Sequence, residues 1–407
     1  MKRKLLLFML AICLFIGQIH VCQPVSAETY LKEKDFLNLL LEKMEWNDMG
    51  DSVDTYELAL AKKIITKSDK AQFNKALTRQ RAALYLSRAD IAANGNTYDK
   101  TLYKKIVSGG RISDLKAVSS SCRTSVVKMY EKGIMIGDSN GAYSQNRKFS
   151  PDTKVTLSLA KNCLIRLKTV SKRKQISPDG QLLRTTNLPH NAKSYPYILQ
   201  SFPNSFYQAK FEYQITKYNY TPVRLIDYAS PVDIGKMVFA YNGTRMQTVL
   251  DNHLDDWCKT VKKNIQTRFN VNYKTVNASW VNKLRSTYYV FDGDAVANSR
   301  QTEDIKDYVK RMKANKVVIK TEKVVVERST VYSSGTIYIR VYVKFKVKEC
   351  NSLSNLNNVI YNDGISIKNL KKNTWKECYF DIGVGTCNGY SLGEDYAILD
   401  NTIINIK

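Results

Sequence analysis

The stretch from Arg111 to Lys168 sets the tightest limit on what this chain can fold into. Two apolar runs at helical spacing, one through Val126, Val127 and Tyr130 and one through Leu157, Ala160, Leu164 and Leu167, flank a polar loop with three glycines. Gly133 follows the last periodic residues of the first run, where a left-handed helix cap is expected. Gly137 and Gly141 suit a turn-rich connection, and Pro151 and Thr156 read as start signals for the second helix. A helix pair of this size has too little apolar surface to fold alone, so the pattern demands further pairs packed against it.

Those partners lie upstream. Asp51 to Asp90 runs through Tyr56, Leu58, Ala59 and Leu60 to Lys63-Ile64-Ile65, then through Phe73 to Leu77-Thr78-Arg79-Gln80-Arg81-Ala82. Its turn is shortened to Thr66-Lys67-Ser68-Asp69. Glu28 to Trp46 predicts a single amphipathic helix with Phe36, Leu39, Leu40, Lys43 and Met44 on one side, the second half of a copy whose first half is absent. Internal repetition therefore spans 28–168, with a partial copy over 28–46 and fuller copies over 51–90 and 111–168.

This order of parts resembles the S-layer homology (SLH) repeat, the module that fixes bacterial surface proteins to polymers of the cell wall. Asp114, Gly133-Ile134, Gly137, Phe149-Ser150-Pro151 and Val155-Thr156 match the family pattern, while Leu157 stands where the family has an arginine. In the middle copy Leu77-Thr78-Arg79 is similar to the family's Ile-Thr-Arg, with Arg81 in place of its glutamate; in the partial copy Leu31-Lys32-Glu33 occupies the same step. The resemblance implies a pseudo-threefold helical bundle with ligand grooves between neighbouring copies. It implies as partner an acidic secondary cell-wall polysaccharide, pyruvylated in many members, held by Arg79, Asp114, Gly137, Asp138 and Thr156. A guanidinium fork matches a carboxylate, and loop amides beside Gly137 and Gly141 would add donors. Plainer roles stand beside these: Asp114 as a helix cap, Arg79 in a surface ion pair, Asp138 completing a turn.

The chain opens with Lys2-Arg3-Lys4, an apolar core from Leu5 to Ile19, and Pro24-Val25-Ser26-Ala27. This reads as a secretory signal peptide over 1–27, with the mature chain starting at Glu28 and no later stretch long and apolar enough to span a membrane. Losing those three basic residues takes the net charge from +26 to +23. So large an excess calls for an anionic environment, and secretion argues against nucleic acid. The expected location is the bacterial cell wall or cell surface. Of the remaining cysteines (Cys122, Cys163, Cys258, Cys350, Cys378 and Cys387), Cys122 and Cys163 fall on the two helices of one copy. A disulfide between them and a pair of buried free thiols both fit.

Beyond Lys168 a charged, proline-rich and aromatic connector covers 171–235, followed by a domain over 236–407. Met246 to Phe269 and Ser299 to Ala314 predict helices. Lys316 to Glu327, Thr336 to Lys348, Glu377 to Val384 and Tyr396 to Ile406 predict strands. Alternation puts Ile337, Ile339, Val341, Val343, Phe345 and Val347 inward and Tyr338, Arg340, Tyr342, Lys344 and Lys346 outward, the outer face being a candidate surface for sugars or an acidic polymer. The fold expected is multidomain: an all-α SLH-like repeat bundle, then an α+β domain with a mostly antiparallel sheet.

His253 lies on the apolar helix stripe and reads as a core histidine; no paired-histidine metal motif, serine elbow or phosphate loop occurs, and no cofactor is implied. The function expected is non-catalytic display of this domain on the wall, with another surface protein as a further partner of its strand face. The alternative is a wall-anchored enzyme acting on carbohydrate through carboxylates such as Asp255-Asp256 or Glu303-Asp304.

Overall fold

A computed structural model describes residues 30–47, 54–209, 221–222, 246–290, 293–333, 337–352, 360, 367, 370–386 and 396–406. The signal-peptide reading, Cys387 and most of 210–235 lie outside these residues. The chain divides into two compact units, Met1–Gly137 with Lys148–Lys174, and Asp138–Arg147 with Gln175–Lys407. The second unit therefore takes in both the connector from Gln175 onward and a ten-residue loop from the glycine-rich stretch.

The first unit is helical: α1 Glu33–Lys43, α2 Thr55–Ala61, α3 Arg79–Asn94, α4 Lys100–Ser108, α5 Ser120–Glu131 and α6 Leu157–Lys168. Helix α3 is rich in alanine and leucine and stops at Gly95, whose φ of +74° few other residues tolerate. Helix α4, which the sequence reading does not anticipate, starts where Asp99 accepts hydrogen bonds from the amides of Thr101 and Leu102 at 2.8 and 2.9 Å. Phe36, Leu37 and Leu40 from α1, Ala83, Tyr85 and Leu86 from α3, and Val126, Val127 and Tyr130 from α5 are all buried. Full burial of each leucine- or valine-sized side chain is worth about 1.5–3 kcal/mol. Helix α3 packs on both α5 and α6, and α6 on α1.

Helix α1 begins at Glu33, not at Glu28, because the backbone before it is used otherwise. The Leu31 amide donates to Val155 O at 3.0 Å, the Val155 amide to Leu77 O at 2.9 Å, and the Leu77 amide to Leu31 O at 2.8 Å. Three extended steps, each directly preceding a helix, thus close a ring of hydrogen bonds. A second tier repeats the pattern: Glu33 N donates to Lys75 O at 3.0 Å and Arg79 N to Thr153 O at 2.9 Å. Leu31, Leu77 and Val155 point into the core.

The second unit is α+β. Helices α7 Met246–Arg268, α8 Ala278–Arg285 and α9 Ala295–Ala314 precede four long strands, β1 Val318–Ser333, β2 Ile337–Glu349, β3 Lys376–Thr386 and β4 Tyr396–Ile406. The strands pair antiparallel in sequence order, and Thr221–Pro222 and Val271–Asn272 add short edges on β1. Val341 lies opposite Val326 on one side and Phe380 on the other. Ile339, Val341, Val343, Phe345 and Val347 join Leu254, Trp257, Val261 and Ile265 of α7 and Ile305, Tyr308 and Met312 of α9 in one core.

The opposite sheet face departs from expectation: Tyr338, Arg340 and Tyr342 are buried. The connector lies over this face, with Tyr195, Leu199, Phe202, Phe206 and Tyr207 packed on Tyr342, Tyr379 and Val325. Arg340 is 2% exposed, makes a two-pronged pair with Asp381 at 2.8 and 3.1 Å, and donates to Phe206 O at 2.8 Å. Covering so charged a face is tolerable only because both partners are fully hydrogen-bonded. Tyr143, from the loop, stacks on Tyr342 with ring centroids 3.6 Å apart, and its hydroxyl meets that of Tyr379 at 2.6 Å.

Candidate functional site

The three steps of the ring divide the first unit into three seams between neighbouring helices, and the residues nominated for wall-polymer binding, Asp138 excepted, sit at or near them. The seams differ in chemistry.

At the first seam Glu33, 1% exposed, receives Arg81 through paired hydrogen bonds, and Tyr85 donates to it at 2.5 Å. Arg81 also reaches Asp69 at 2.9 Å, and Arg88 pairs with Asp69 at 3.3 Å. Burial alone pushes the Asp69 carboxyl up, but the Thr66 amide and Arg81 outweigh it and hold it below the usual carboxylate range. Burial and the Glu33 carboxylate push the Tyr85 phenol far above its ordinary range. Charge here is internally neutralised.

At the second seam Arg79 is 6% exposed. Its Nε donates to Phe149 O at 2.7 Å and an Nη to Ile136 O at 3.2 Å, and the guanidinium lies 5.1 Å from the Phe149 ring centroid. The fork expected to meet a polymer carboxylate is spent on backbone carbonyls, so Arg79 is a positioning residue for the loop before α6 and not an open groove residue. Asp114 does not cap a helix. It makes no cap bond to its own turn; its two oxygens accept the amides of Phe149 and Ser150, each at 2.7 Å. Ser150 has a φ of +56°, a left-handed conformation costing a non-glycine residue roughly 1–2 kcal/mol, which these bonds offset.

Gly137 is buried where a Cβ would come within 2.5 Å of Lys148 O, so its glycine serves close backbone approach. Asp138 is exposed and falls in the second unit. The Gly141 amide is already bonded to Ser139 Oγ at 3.1 Å. Thr156 caps α6, accepting from Leu159 N at 3.3 Å.

The third seam, between α1 and α6, is open. A cleft of about 410 Å³ is lined by Leu39, Glu42, Lys43, Glu45, Lys161, Leu164 and Ile165. Lys43 and Lys161 are exposed, and Lys168 pairs with Glu45 at 3.2 Å on the surface. Tyr30, 49% exposed, stands beside Thr156 through a β-bridge, with the Lys154 ammonium 5.6 Å from its ring centroid. None of these residues except Thr156 was nominated from the sequence. Family motifs lie in the turns, and the cleft is built from helix positions whose charges look like ordinary solvated surface.

Cys122 and Cys163 are both free and buried, the second of the two arrangements that the sequence left open. Each side chain is held on helices that pack on α3, and burial pushes the Cys163 thiol up to about 11. In the second unit the nominated carboxylates serve other partners: Asp256 pairs with Lys259 and Glu303 with Lys306 one turn along exposed helices, and Asp255 meets Arg328 at 3.3 Å. Among the described residues no cluster of three or more metal-ligating side chains occurs, and no helix is long and apolar enough to cross a membrane. Comparison with protein-family models, with curated proteins and with solved structures finds no match for the chain.

Proposed function

We propose that this is a secreted, non-catalytic surface protein whose SLH-like helical part holds an acidic cell-wall polysaccharide while the α+β domain is displayed. The observation that carries the reading is the ring joining Leu31, Leu77 and Val155. It relates the three steps that resemble the family's Ile-Thr-Arg position by one repeated hydrogen-bond pattern, as a pseudo-threefold repeat bundle requires. The net charge of +26 supports an anionic partner.

The α1–α6 cleft is lined by two exposed cations, Lys43 and Lys161, with no ion pair among the described residues. Lys43 and Lys161 would attract the acid groups, Leu39 and Ile165 would meet the apolar faces of sugar rings, and Tyr30 beside Thr156 offers a stacking platform. Arg79 and Asp114 act behind the site by fixing the loop that leads into α6.

Retention on purified wall sacculi tests this, using the mature chain and a Lys43→Glu, Lys161→Glu double variant. The wild type should co-sediment with intact sacculi and stay in solution with sacculi stripped of secondary polymers. The variant should lose most retention with unchanged helical content. Equal retention on stripped wall would sink the proposal, and full retention by the variant would move the site off the α1–α6 cleft.

A further inference from the structure

The end of the sheet that the connector leaves uncovered carries a concentration of positive charge that internal pairing does not explain. Lys320 of β1 lies directly opposite Lys346 of β2, and Lys323 opposite Lys344. Like charges facing across an antiparallel pair are about 4.5–5.5 Å apart at Cβ and destabilise it. Lys323 is partly accounted for by a bond to Ala142 O at 3.1 Å, and Lys344 by Glu322 at 2.9 Å. Lys320 and Lys346 have no carboxylate partner among the described residues.

Trp375 organises the cluster. It is 36% exposed, and its ring centroid lies 4.5 Å from the Lys346 ammonium and 5.5 Å from that of Lys344. A carboxylate in that place would fix the lysines and cancel their charge. An indole holds them through its quadrupole, and the Lys346 charge, which has no carboxylate partner among the described residues, stays available. The turn bearing Lys371 and Lys372 is tied to the same strand end, with Asn373 N donating to Val347 O at 2.8 Å. Beside it Lys320 and the exposed Lys348 line a cleft of about 340 Å³ with Asn270, Asn272, Thr275 and Trp280.

We infer that this surface binds a linear phosphodiester-linked polyol chain running over Lys344 and Lys346 into the Lys320–Lys348 cleft. Two features favour phosphodiesters. Every cation on the surface is a lysine, a compact point charge suited to phosphate, with no arginine fork to select planar carboxylates. Successive lysines on one strand face recur about every 6.8 Å, the spacing of charges on an extended chain with a phosphate on each short polyol unit. The ring of Trp375 is engaged by two ammonium groups and that of Trp280 is stacked on Tyr308, so the aromatic faces on which nucleic-acid bases would stack are partly taken. This site lies wholly in the second unit and does not rest on the wall-binding role proposed for the first.

The test is binding of synthetic poly(glycerol phosphate) to the mature chain over a series of salt concentrations. Lys320→Gln with Lys346→Gln should lower affinity at least tenfold at low salt and reduce the slope of log K against log salt by about 1.4, near 0.7 per lysine. Trp375→Leu should lower affinity with the slope unchanged, since it removes order but no charge. Lys43→Gln with Lys161→Gln should leave this binding intact, which separates it from the first unit's site. Unchanged affinity and slope in the Lys320, Lys346 variant would overturn the proposal. So would equal or tighter binding of single-stranded DNA or polygalacturonate of matched charge.

Discussion

Removing Arg81 should be among the most damaging single changes to the helical unit, although its side chain is 23% exposed. The reason is its partner. Glu33 has a side chain 2% exposed and accepts from Arg81 twice and from Tyr85 once. In Arg81→Ala the carboxylate stays buried with a single neutral donor, and breaking a buried pair from one side costs about 3–5 kcal/mol. Asp69 suffers less, because Arg88 and the Thr66 amide remain. At roughly 2–4 °C per kcal/mol for a unit of this size, the helical transition should fall by about 10 °C. Far-UV circular dichroism during heating reads this directly. The double change Glu33→Arg with Arg81→Glu restores opposite charges but sets the new glutamate beside Asp69, so it should recover only part of the loss. A shift of Arg81→Ala within about 0.5 kcal/mol of wild type, the range of ordinary surface changes, would refute the reasoning.

Three further outcomes follow from the same geometry. Glu327 is fully buried, and burial pushes its carboxyl from 4.5 up to about 8 despite the Ser329 hydroxyl and Arg328. A raised acid contributes stability that is complete below pH 4.5 and is lost as pH rises through 8, about 3 kcal/mol of it by pH 7; urea titrations should show this slope in wild type and little of it in Glu327→Gln. Gly133→Ala should cost several kcal/mol, because the new Cβ would stand 1.9 Å from Lys174 O at a φ of +66°, and a melting temperature within a few degrees of wild type would contradict the close approach. Cys122 and Cys163 should resist thiol reagents in the native chain and react fully on denaturation without reductant, whereas a mass two hydrogens short would restore the disulfide.

What the sequence made legible follows from how local each signal is. The stripes Leu254-Trp257-Val261-Ile265 and Ile305-Tyr308-Met312 and the alternation through Val341, Val343 and Phe345 depend on neighbours within the same element, and all three face the core as expected. Helices Lys100–Ser108 and Ala278–Arg285 are short, and at eight or nine residues they give too few periods to stand out. The covering of Tyr338, Arg340 and Tyr342 was invisible for another reason. Alternation tells which residues share a face, not whether a distant segment lies over it, and the aromatic connector that covers them is more than a hundred residues away.

The family-like motif raises a subtler case, since its departures carry as much information as its matches. Glu33 stands where the pattern has arginine, and Arg81 where it has glutamate; each alone reads as decay of a copy. The structure brings the two together as an ion pair across the first seam; if the family resemblance holds, the two departures compensate each other. Leu157, at the same position of the third step, has no charge to exchange; it is 39% exposed beside the α1–α6 cleft. Arg81 at the first seam and Arg79 at the second are committed to internal partners, and the seam with leucine at that position carries a cleft. On the proposed function, the position without the motif arginine would be where a ligand has room. Filling that position tests the point: Leu157→Arg, one turn before Lys161 on α6, should reduce wall retention by crowding the near end of the cleft. Retention unchanged or raised by this substitution would mean that the lost arginine is a missing contact and not the origin of the opening.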